Sequence, residues 1–358
     1  MTLTPDRSPA DPAPPPPRGT GRRMLVRAAI GIAGSAVFLL LLLRQVDLGE
    51  VGDAFSEVTW AWVLLAGLPF AAGLWVRALR WRIVLRSSVE LDATEATSVV
   101  VIGYAANNLL PVRAGEVVRA VLVERATGAA RMFVLGTIVV ERIFDGLVLA
   151  LFLAVALAVE GSNDTLRLLA VLASVGFAVL TLVLAWLAAA PTQATAWLIG
   201  MLRLVPTRFR SRARVWLGSF LGGLGQLRGK RDWSLAAGTT ALSWGLEAVS
   251  YWFVGEAFGL GLDPWLYLGV AGAANLAIAA PSTAGGIGPF EFFARETLVV
   301  FGVSTAVGTA YAIVLHTLIL VPVVLVGLLL LWQRHVGLAV LANPERAVST
   351  GTPIEISS

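Results

Sequence analysis

The sequence of 358 residues contains no cysteine, only two histidines and few charged side chains. Without cysteine, disulfides, thiolate metal sites and cysteine nucleophiles are excluded, and the redox compartment cannot be read from the chain. Charged residues make up 14% of the sequence and hydrophobic residues 57%, and the mean hydropathy is +0.79. Soluble domains carry about 25% charged residues. This composition therefore predicts an integral membrane protein.

Sequence patterns typical of catalysis are also missing. There is no GxxxxGK[ST] phosphate loop, no Asp-x-Asp metal pair and no histidine cluster, so ATP-driven transport through that loop and common metal chemistry have no support. We expect no cofactor, no metal site and no catalytic residue. The net charge of +4 comes from arginines beside apolar runs, which set membrane orientation, and we expect no nucleic-acid partner.

Six apolar runs are long enough to cross a bilayer, which takes roughly 20 residues. They cover about 25–43, 60–84, 131–159, 166–190, 233–258 and 305–332. Residues 1–24 are predicted to form a disordered Pro-rich tail and residues 336–358 a second tail. Because arginine is enriched in cytoplasmic loops, the arginine distribution places both termini in the cytoplasm.

Two further apolar regions, 97–125 and 265–303, are interrupted by glycine and proline. Such residues free backbone polar groups, which membrane depth tolerates only beside protein or a wet cavity. We therefore predict two re-entrant helical hairpins. The residues that mark the breaks are Pro111, Gly115, Pro281, Gly285, Gly286 and Gly288.

The two interruptions resemble each other. Each proline is followed four residues later by glycine, each lies downstream of an asparagine (Asn108 or Asn275), and the offset is about 170 residues. The membrane domain, 25–335, divides into halves of about 25–160 and 161–335 with three spans each. An odd number of spans reverses the second half, which predicts an inverted-topology repeat. The alternative is a chance match between common proline and glycine residues.

Charged residues inside the third run mark a candidate site. Glu141, Arg142 and Asp145 lie about ten residues from its cytoplasmic start, roughly 15 Å deep. Glu141 and Asp145, four residues apart, share one helix face. Ionised groups at this depth favour a functional interpretation. The alternative is a structural ion pair with Arg113 or Arg119.

Further polar residues occur in the second half. Glu247 lies at similar depth, and the repeat offset places Arg77 opposite it. Glu291 and Arg295, also four residues apart, are expected to form a third cluster. His316 could relay a proton, or it could be a hydrogen-bonded core residue.

Charged residues also follow the first hairpin break. Arg113, Glu116 and Arg119 recur every three residues, which places them on one helix face. Guanidinium groups bind phosphate in a bidentate manner, so this face could hold an anionic lipid headgroup. The alternative is nonspecific snorkelling at the anionic membrane surface.

Four segments together resemble a known family: RALRWRIVL at 77–85, NNLLPVRAGEVVRA at 107–120, VERIFDG at 140–146 and PSTAGGIGPFE at 281–291. They are similar to the flippase-like membrane domain of lysylphosphatidylglycerol synthases, over about residues 25–335. The synthases continue into a soluble aminoacyl transferase domain. This sequence ends at Ser358, so we expect a stand-alone member without that activity.

The resemblance implies an all-α polytopic protein of the plasma membrane that moves a phospholipid or a lipid-linked headgroup between leaflets. Anionic, aminoacylated or polyprenyl-linked lipids are the implied partners. A membrane-embedded transferase, or an accessory subunit of a separate lipid-modifying enzyme, are the alternatives, and a homo-oligomer is left open. The candidate pathway residues are Asn107, Asn108, Arg113, Glu116, Arg119, Glu141, Arg142, Asp145, Glu247, Asn275, Glu291 and Arg295.

Overall fold

A computed structural model describes residues 20–44, 46–86, 88–110, 114–160, 207–227, 229–278 and 284–334, with isolated positions between 168 and 200. All regular structure in these ranges is helical, which confirms the all-α prediction. The helices are α1 (Thr20–Leu43), α2 (Leu48–Ser56), α3 (Trp60–Leu85), α4 (Ala93–Leu109), α5 (Gly115–Thr127), α6 (Arg131–Glu160), α7 (Thr207–Leu224), α8 (Lys230–Ala257), α9 (Leu266–Ala277), α10 (Pro289–Val300) and α11 (Thr305–Gln333).

Helices α3–α6 and α8–α11 follow the same order of lengths. The first set has 26, 17, 13 and 30 residues, and the second has 28, 12, 12 and 29. At 1.5 Å per residue the short helices reach about 18–26 Å, less than a hydrocarbon core of about 30 Å. Two pairs of short helices are therefore present where hairpins were predicted. The opposite orientation of the two halves remains a prediction.

The described spans confirm the predicted six only in part. By length and composition, α3 and α11 can each cross a membrane, and a third span results if residues 29–43 and α2, bent by 83°, are counted together. Helices α6 and α8 have 30 and 28 residues but carry buried charged side chains. The predicted run 166–190 lies largely outside the described residues, as do Pro111, Arg113 and Pro281.

Glycines define both breaks. Gly285, Gly286 and Gly288 have φ values of 74°, 77° and 101°, a backbone region that glycine enters without steric cost. In the first hairpin, a Cβ atom on Gly115 would lie 2.0 Å from the Gly103 carbonyl oxygen. Glycine at 115 thus lets α5 turn back directly against α4.

Small residues bring the long helices together, as is usual in membrane proteins. The α3–α8 interface contains Gly73, where a Cβ atom would lie 2.9 Å from the Ser243 carbonyl oxygen. In the same interface the Ser250 hydroxyl donates to the Ala66 carbonyl at 2.6 Å. Large apolar side chains such as Leu64 face outward instead, with 79% of its surface exposed. The outer surface is therefore suited to lipid.

The α6–α7 contact provides a test of this packing. A Cβ atom on Gly223 would lie 2.0 Å from the Phe133 carbonyl oxygen, whereas nothing lies within 4 Å of Gly218. We expect Gly223→Ala to destabilise the protein by about 1–3 kcal/mol through overpacking against backbone. Gly218→Ala should instead stabilise it by up to about 1 kcal/mol through helix propensity. Thermal unfolding compares the variants, and equal Tm values would contradict the contact.

Candidate functional site

A cavity of about 290 Å³ lies between the two sets of helices. Its polar wall combines side chains from α3, α4, α5 and α6 with side chains from α8, α9 and α11. Eight predicted site residues line it: Asn107, Asn108, Glu116, Arg142, Asp145, Glu247, Asn275 and Gly285. Its apolar wall includes Phe70, Leu74, Ile319 and Leu320. The structure thus brings these predicted residues together, and their role in a functional site remains a prediction.

Beneath the cavity, Arg80 joins two carboxylates of α6. Its guanidinium lies 2.6 Å from Asp145 Oδ1 and 2.9 Å from Glu141 Oε1, and it donates to Thr240 Oγ1 on α8 at 2.8 Å. Arg119 donates to the other Glu141 oxygen at 2.8 Å. Arg80 has no exposed surface, and Glu141 is 1% exposed. Arginines on α3 and α5 therefore bind these α6 carboxylates, and Thr240 connects Arg80 to α8.

Aromatic rings complete the surroundings of the buried arginines. The Arg119 guanidinium lies 4.0 Å from the centre of the Trp81 ring, and that of Arg77 lies 4.1 Å from the Trp244 ring. The Trp244 indole N–H also donates to Asp145 at 2.9 Å. Guanidinium groups stack well on aromatic faces because they are planar and weakly hydrated. Trp244 thus links the Arg80 network to Arg77.

Arg77 and Glu247 form a buried ion pair between α3 and α8, 170 residues apart in the chain. The repeat offset suggested this pairing. The Glu247 carboxylate also accepts hydrogen bonds from the Tyr251 hydroxyl at 3.0 Å and from Asn275 at 3.4 Å. The pair therefore ties the long helix of one set to the long helix and the hairpin of the other.

Arg142 differs from the other arginines of the cluster because 40% of its side chain is exposed. Its contacts with Glu141 and Asp145 are 3.3 and 3.7 Å long, compared with about 2.7–2.9 Å for a close charged hydrogen bond. Its Nη2 also donates to the Tyr104 hydroxyl at 3.3 Å. Arg142 is thus held by long contacts on the cavity wall, with part of its side chain exposed there.

The arginines of this cluster differ in how closely carboxylates approach them. Arg77, Arg80 and Arg119 have close carboxylate partners in Glu247, Asp145 and Glu141. Glu116 also lines the cavity, lies within electrostatic range of Arg142 and accepts from Asn107 at 3.2 Å. Arg142 therefore has the longest carboxylate contacts of the four arginines.

Asn107 holds the first break together. Its side-chain oxygen accepts from the backbone N–H of Gly115 at 2.7 Å, and its amide group donates to Glu116. The residue therefore caps the start of α5 from the end of α4. Its neighbour Asn108 reaches the second break, where a Cβ atom on Gly285 would lie 3.8 Å from the Asn108 side-chain oxygen. The described ends of the two hairpins meet at the cavity.

The second hairpin corrects one expectation. Glu291 and Arg295 were predicted to form a cluster, but they bind different partners. Glu291 contacts His316 at 2.6 Å, while Arg295 donates to the Leu42 carbonyl at 2.9 Å and pairs with Glu296. The four-residue spacing predicted a contact between the two side chains because it places them on one face of a helix. In the structure α11 packs beside Glu291, and the end of α1 packs beside Arg295. Arg295 therefore anchors α1 and does not line the cavity.

The family model for the lysylphosphatidylglycerol synthase TM region matches residues 28–327. The chain belongs to this family. Among curated proteins, it is 25% identical over 303 residues to a UPF0104 membrane protein of Methanothermobacter thermautotrophicus, covering 80% of this chain and 90% of that protein. It is 26% identical over 310 residues to Glycosyltransferase AglD of Haloferax volcanii, covering 77% of this chain and 48% of AglD. No solved structure matches.

Some residues of this family member's site were missed from the sequence. Arg80 was absent from the predicted set, although it lies three residues after Arg77 in an apolar run, and a charge in such a run is itself a signal. Thr240 and Trp244 carry no such signal because their side chains are common in membrane helices.

In the described part of the chain, no group of three or more histidine, aspartate or glutamate side chains could hold a metal ion.

The Arg80 network predicts a large loss of stability when its centre is removed. Arg80→Gln leaves Glu141 and Asp145 without their shared cation, and unpairing a buried charge costs about 3–5 kcal/mol. Arg142→Gln, at the exposed edge of the same network, should cost less than about 1 kcal/mol. The free energy of unfolding of the purified variants measures both effects. Equal losses would show that the two arginines do not differ as their burial indicates.

Proposed function

We propose that this protein is a lipid flippase or translocase, in which the cavity carries the anionic headgroup of a phospholipid or lipid-linked sugar between leaflets. The observation that carries this proposal is Arg142, whose side chain is 40% exposed on the wall of a cavity that both pairs of short helices line. A phosphate crossing the hydrocarbon core must replace its water with other partners, since an unpaired charge there costs several kcal/mol.

Arg142 can replace part of that hydration. A guanidinium offers two parallel N–H donors that match two phosphate oxygens. Asn107, Asn108 and Asn275 on the same wall carry amide groups that both donate and accept hydrogen bonds, which suits glycerol or sugar hydroxyls. The wall thus has the chemistry of an anionic headgroup with neutral polar substituents.

The size of the cavity favours a headgroup over a whole lipid. Pockets for small ligands have volumes of about 300–1,000 Å³, and this cavity measures about 290 Å³. A headgroup fits, and the acyl chains would stay in the bilayer along the apolar side chains of Phe70, Leu74 and Ile319, which line the same cavity. The protein would therefore shield only the charged headgroup of the lipid, while the acyl chains remain in the bilayer.

An inverted repeat would give the cavity access to both leaflets. We infer that the two sets, α3–α6 and α8–α11, have opposite orientation and rock against one another around the α3–α8 interface, as in other transporters with such repeats. The Arg77–Glu247 pair lies in that interface. We place the protein in the plasma membrane with both termini in the cytoplasm, following the arginine distribution.

A role in lipid glycosylation is the second candidate. It is favoured by the match to a relative named glycosyltransferase, although the chain spans about half the length of AglD. The chain could serve such chemistry as an embedded transferase or as the partner of a separate enzyme. Product formation from a nucleotide-sugar or polyprenyl-linked donor by the purified protein would support the first. Co-purification with a transferase, without lipid exchange by the chain alone, would support the second.

Leaflet exchange in proteoliposomes tests the flippase proposal. We expect the wild-type protein to exchange fluorescent phosphatidylglycerol faster than empty vesicles do. We expect Arg142→Ala to slow that exchange by about tenfold to a hundredfold, because a hydrogen bond to a charged group contributes about 1.5–3 kcal/mol.

Arg86→Ala is the matched control. Its side chain is 48% exposed and pairs with Asp232 outside the cavity wall, so this variant should exchange lipid at the wild-type rate. Phosphatidylcholine, polyprenyl-linked and aminoacylated lipids complete the comparison. No exchange above empty vesicles with any of these lipids would contradict the proposal, as would equal loss in Arg142→Ala and Arg86→Ala.

A further inference from the structure

His316 lies between two hydrogen-bond acceptors. Its Nδ1 is 2.6 Å from Glu291 Oε1, and its Nε2 is 3.1 Å from the Gly285 carbonyl oxygen. A neutral imidazole has only one N–H group. Both contacts are therefore satisfied only when the ring is doubly protonated, or when Glu291 carries a proton and the ring keeps its Nε2–H. In either form the pair holds one proton more than a neutral ring beside a carboxylate.

The pair is buried but borders the cavity. His316 is 6% exposed and Glu291 7% exposed, and the Phe290 ring packs 4.4 Å from the imidazole centre. The second Glu291 oxygen accepts from the Gly288 backbone N–H at 2.7 Å. His316 itself lines the cavity together with Gly285. A charge on this pair therefore attracts or repels a charged group that enters the cavity.

Other titratable groups near the pair already have partners. Arg77 on α3 and Glu247 on α8 bind each other, and the Tyr251 hydroxyl donates to Glu247. On α10, Arg295 pairs with Glu296. Asp145 on the cavity wall binds Arg80. The other titratable or charged groups are Tyr104, Glu116 and Arg142 on the cavity wall, and Glu50 and Asp53, exposed on α2.

We propose that His316 and Glu291 form a proton-binding site, and that a proton and the anionic headgroup occupy the cavity together. This inference rests on the proposed function. With the proton bound, the pair is neutral. Without it, the pair carries one negative charge on the cavity wall and repels an anion. Because linkage is reciprocal, a bound headgroup favours the proton and a bound proton favours the headgroup. The proton comes from solvent and returns to it, and no covalent bond changes.

The proton also bears on the position of the hairpin. Without it, only one ring nitrogen can donate, so either the contact with Glu291 or the contact with Gly285 is lost. Gly285 forms the second break, and a Cβ atom there would lie 3.8 Å from the Asn108 side-chain oxygen of the first hairpin. Proton release thus loosens the second break where it faces the first, which links the charge of the cavity to its geometry.

Histidine NMR measures the protonation of this site without requiring lipid transport. The chain has only two histidines, so full-length protein with ¹³C-labelled histidine in lipid nanodiscs gives two signals, and His335→Gln assigns them. The signals are recorded from pH 5 to 9, and we expect the His316 signal to change as the pair releases its proton. The change should occur at higher pH in phosphatidylglycerol than in phosphatidylcholine. In the Arg142→Gln variant, the difference in the pH of this change between the two lipids should shrink, although the surface potential of each lipid is the same as for the wild type. A His316 signal that is constant over this range, or a lipid difference that Arg142→Gln leaves unchanged, would overturn the proposal.

Exchange assays test the coupling. Above the pH at which His316 loses its proton, wild-type exchange of phosphatidylglycerol should fall by up to about tenfold per pH unit, the limit for a one-proton linkage. His316→Gln should vary less than about twofold over the same range, and His335→Gln should follow the wild type. A pH dependence that His316→Gln retains would overturn the coupling. If the wild type exchanges no lipid at any pH, the proposed function fails, while the NMR titration still decides whether the proton site exists.

Discussion

The architecture depends on the burial of Arg80 between Glu141 and Asp145. Moving ions out of water costs several kcal/mol each, and their attraction offsets this cost only with close geometry and further hydrogen bonds. Here the guanidinium lies 2.6 and 2.9 Å from the two carboxylates, and Thr240 accepts a further hydrogen bond from it. These contacts fix the positions of α3, α6 and α8 relative to one another. The cavity side chains that these three helices carry are positioned by the same contacts.

Two kinds of charged residue follow from this constraint. Arg80, Arg119 and Glu141 lie below the cavity wall with their partners fixed, so they act on the site through position. Arg142 lies at the edge of the same network with longer contacts and 40% of its side chain exposed. Arg80, Arg119, Glu141 and Asp145 thus form a rigid and nearly neutral group of side chains. Arg142 lies at the edge of this group as a loosely held cation on the cavity wall. In the proposed function, Arg142 would bind an anion and release it again, because its contacts are long and its removal is expected to cost little stability.

Much of this organisation can be predicted from the sequence. Apolar composition predicts the membrane class, glycine and proline predict the breaks, and the repeat offset identifies Arg77 and Glu247 as partners. Such predictions can be made because each rests on local chemistry or on a spacing along the chain. The choice of partner for a charged side chain is different, since it depends on which helix packs beside it. Glu291 meets His316 instead of Arg295, and Glu141 meets Arg80 as well as Arg119, through helix contacts that spacing within one segment does not encode.

The central claim is that the cavity holds an anionic headgroup on Arg142. Native mass spectrometry of the purified protein tests it most directly, by identifying the lipids that remain bound to the wild type and to Arg142→Gln. We expect the wild type to retain an anionic phospholipid or a polyprenyl phosphate, and Arg142→Gln to lose that lipid while its other bound lipids are unchanged. Retention of the same anionic lipid by both proteins, or binding of zwitterionic lipids alone, would contradict the claim.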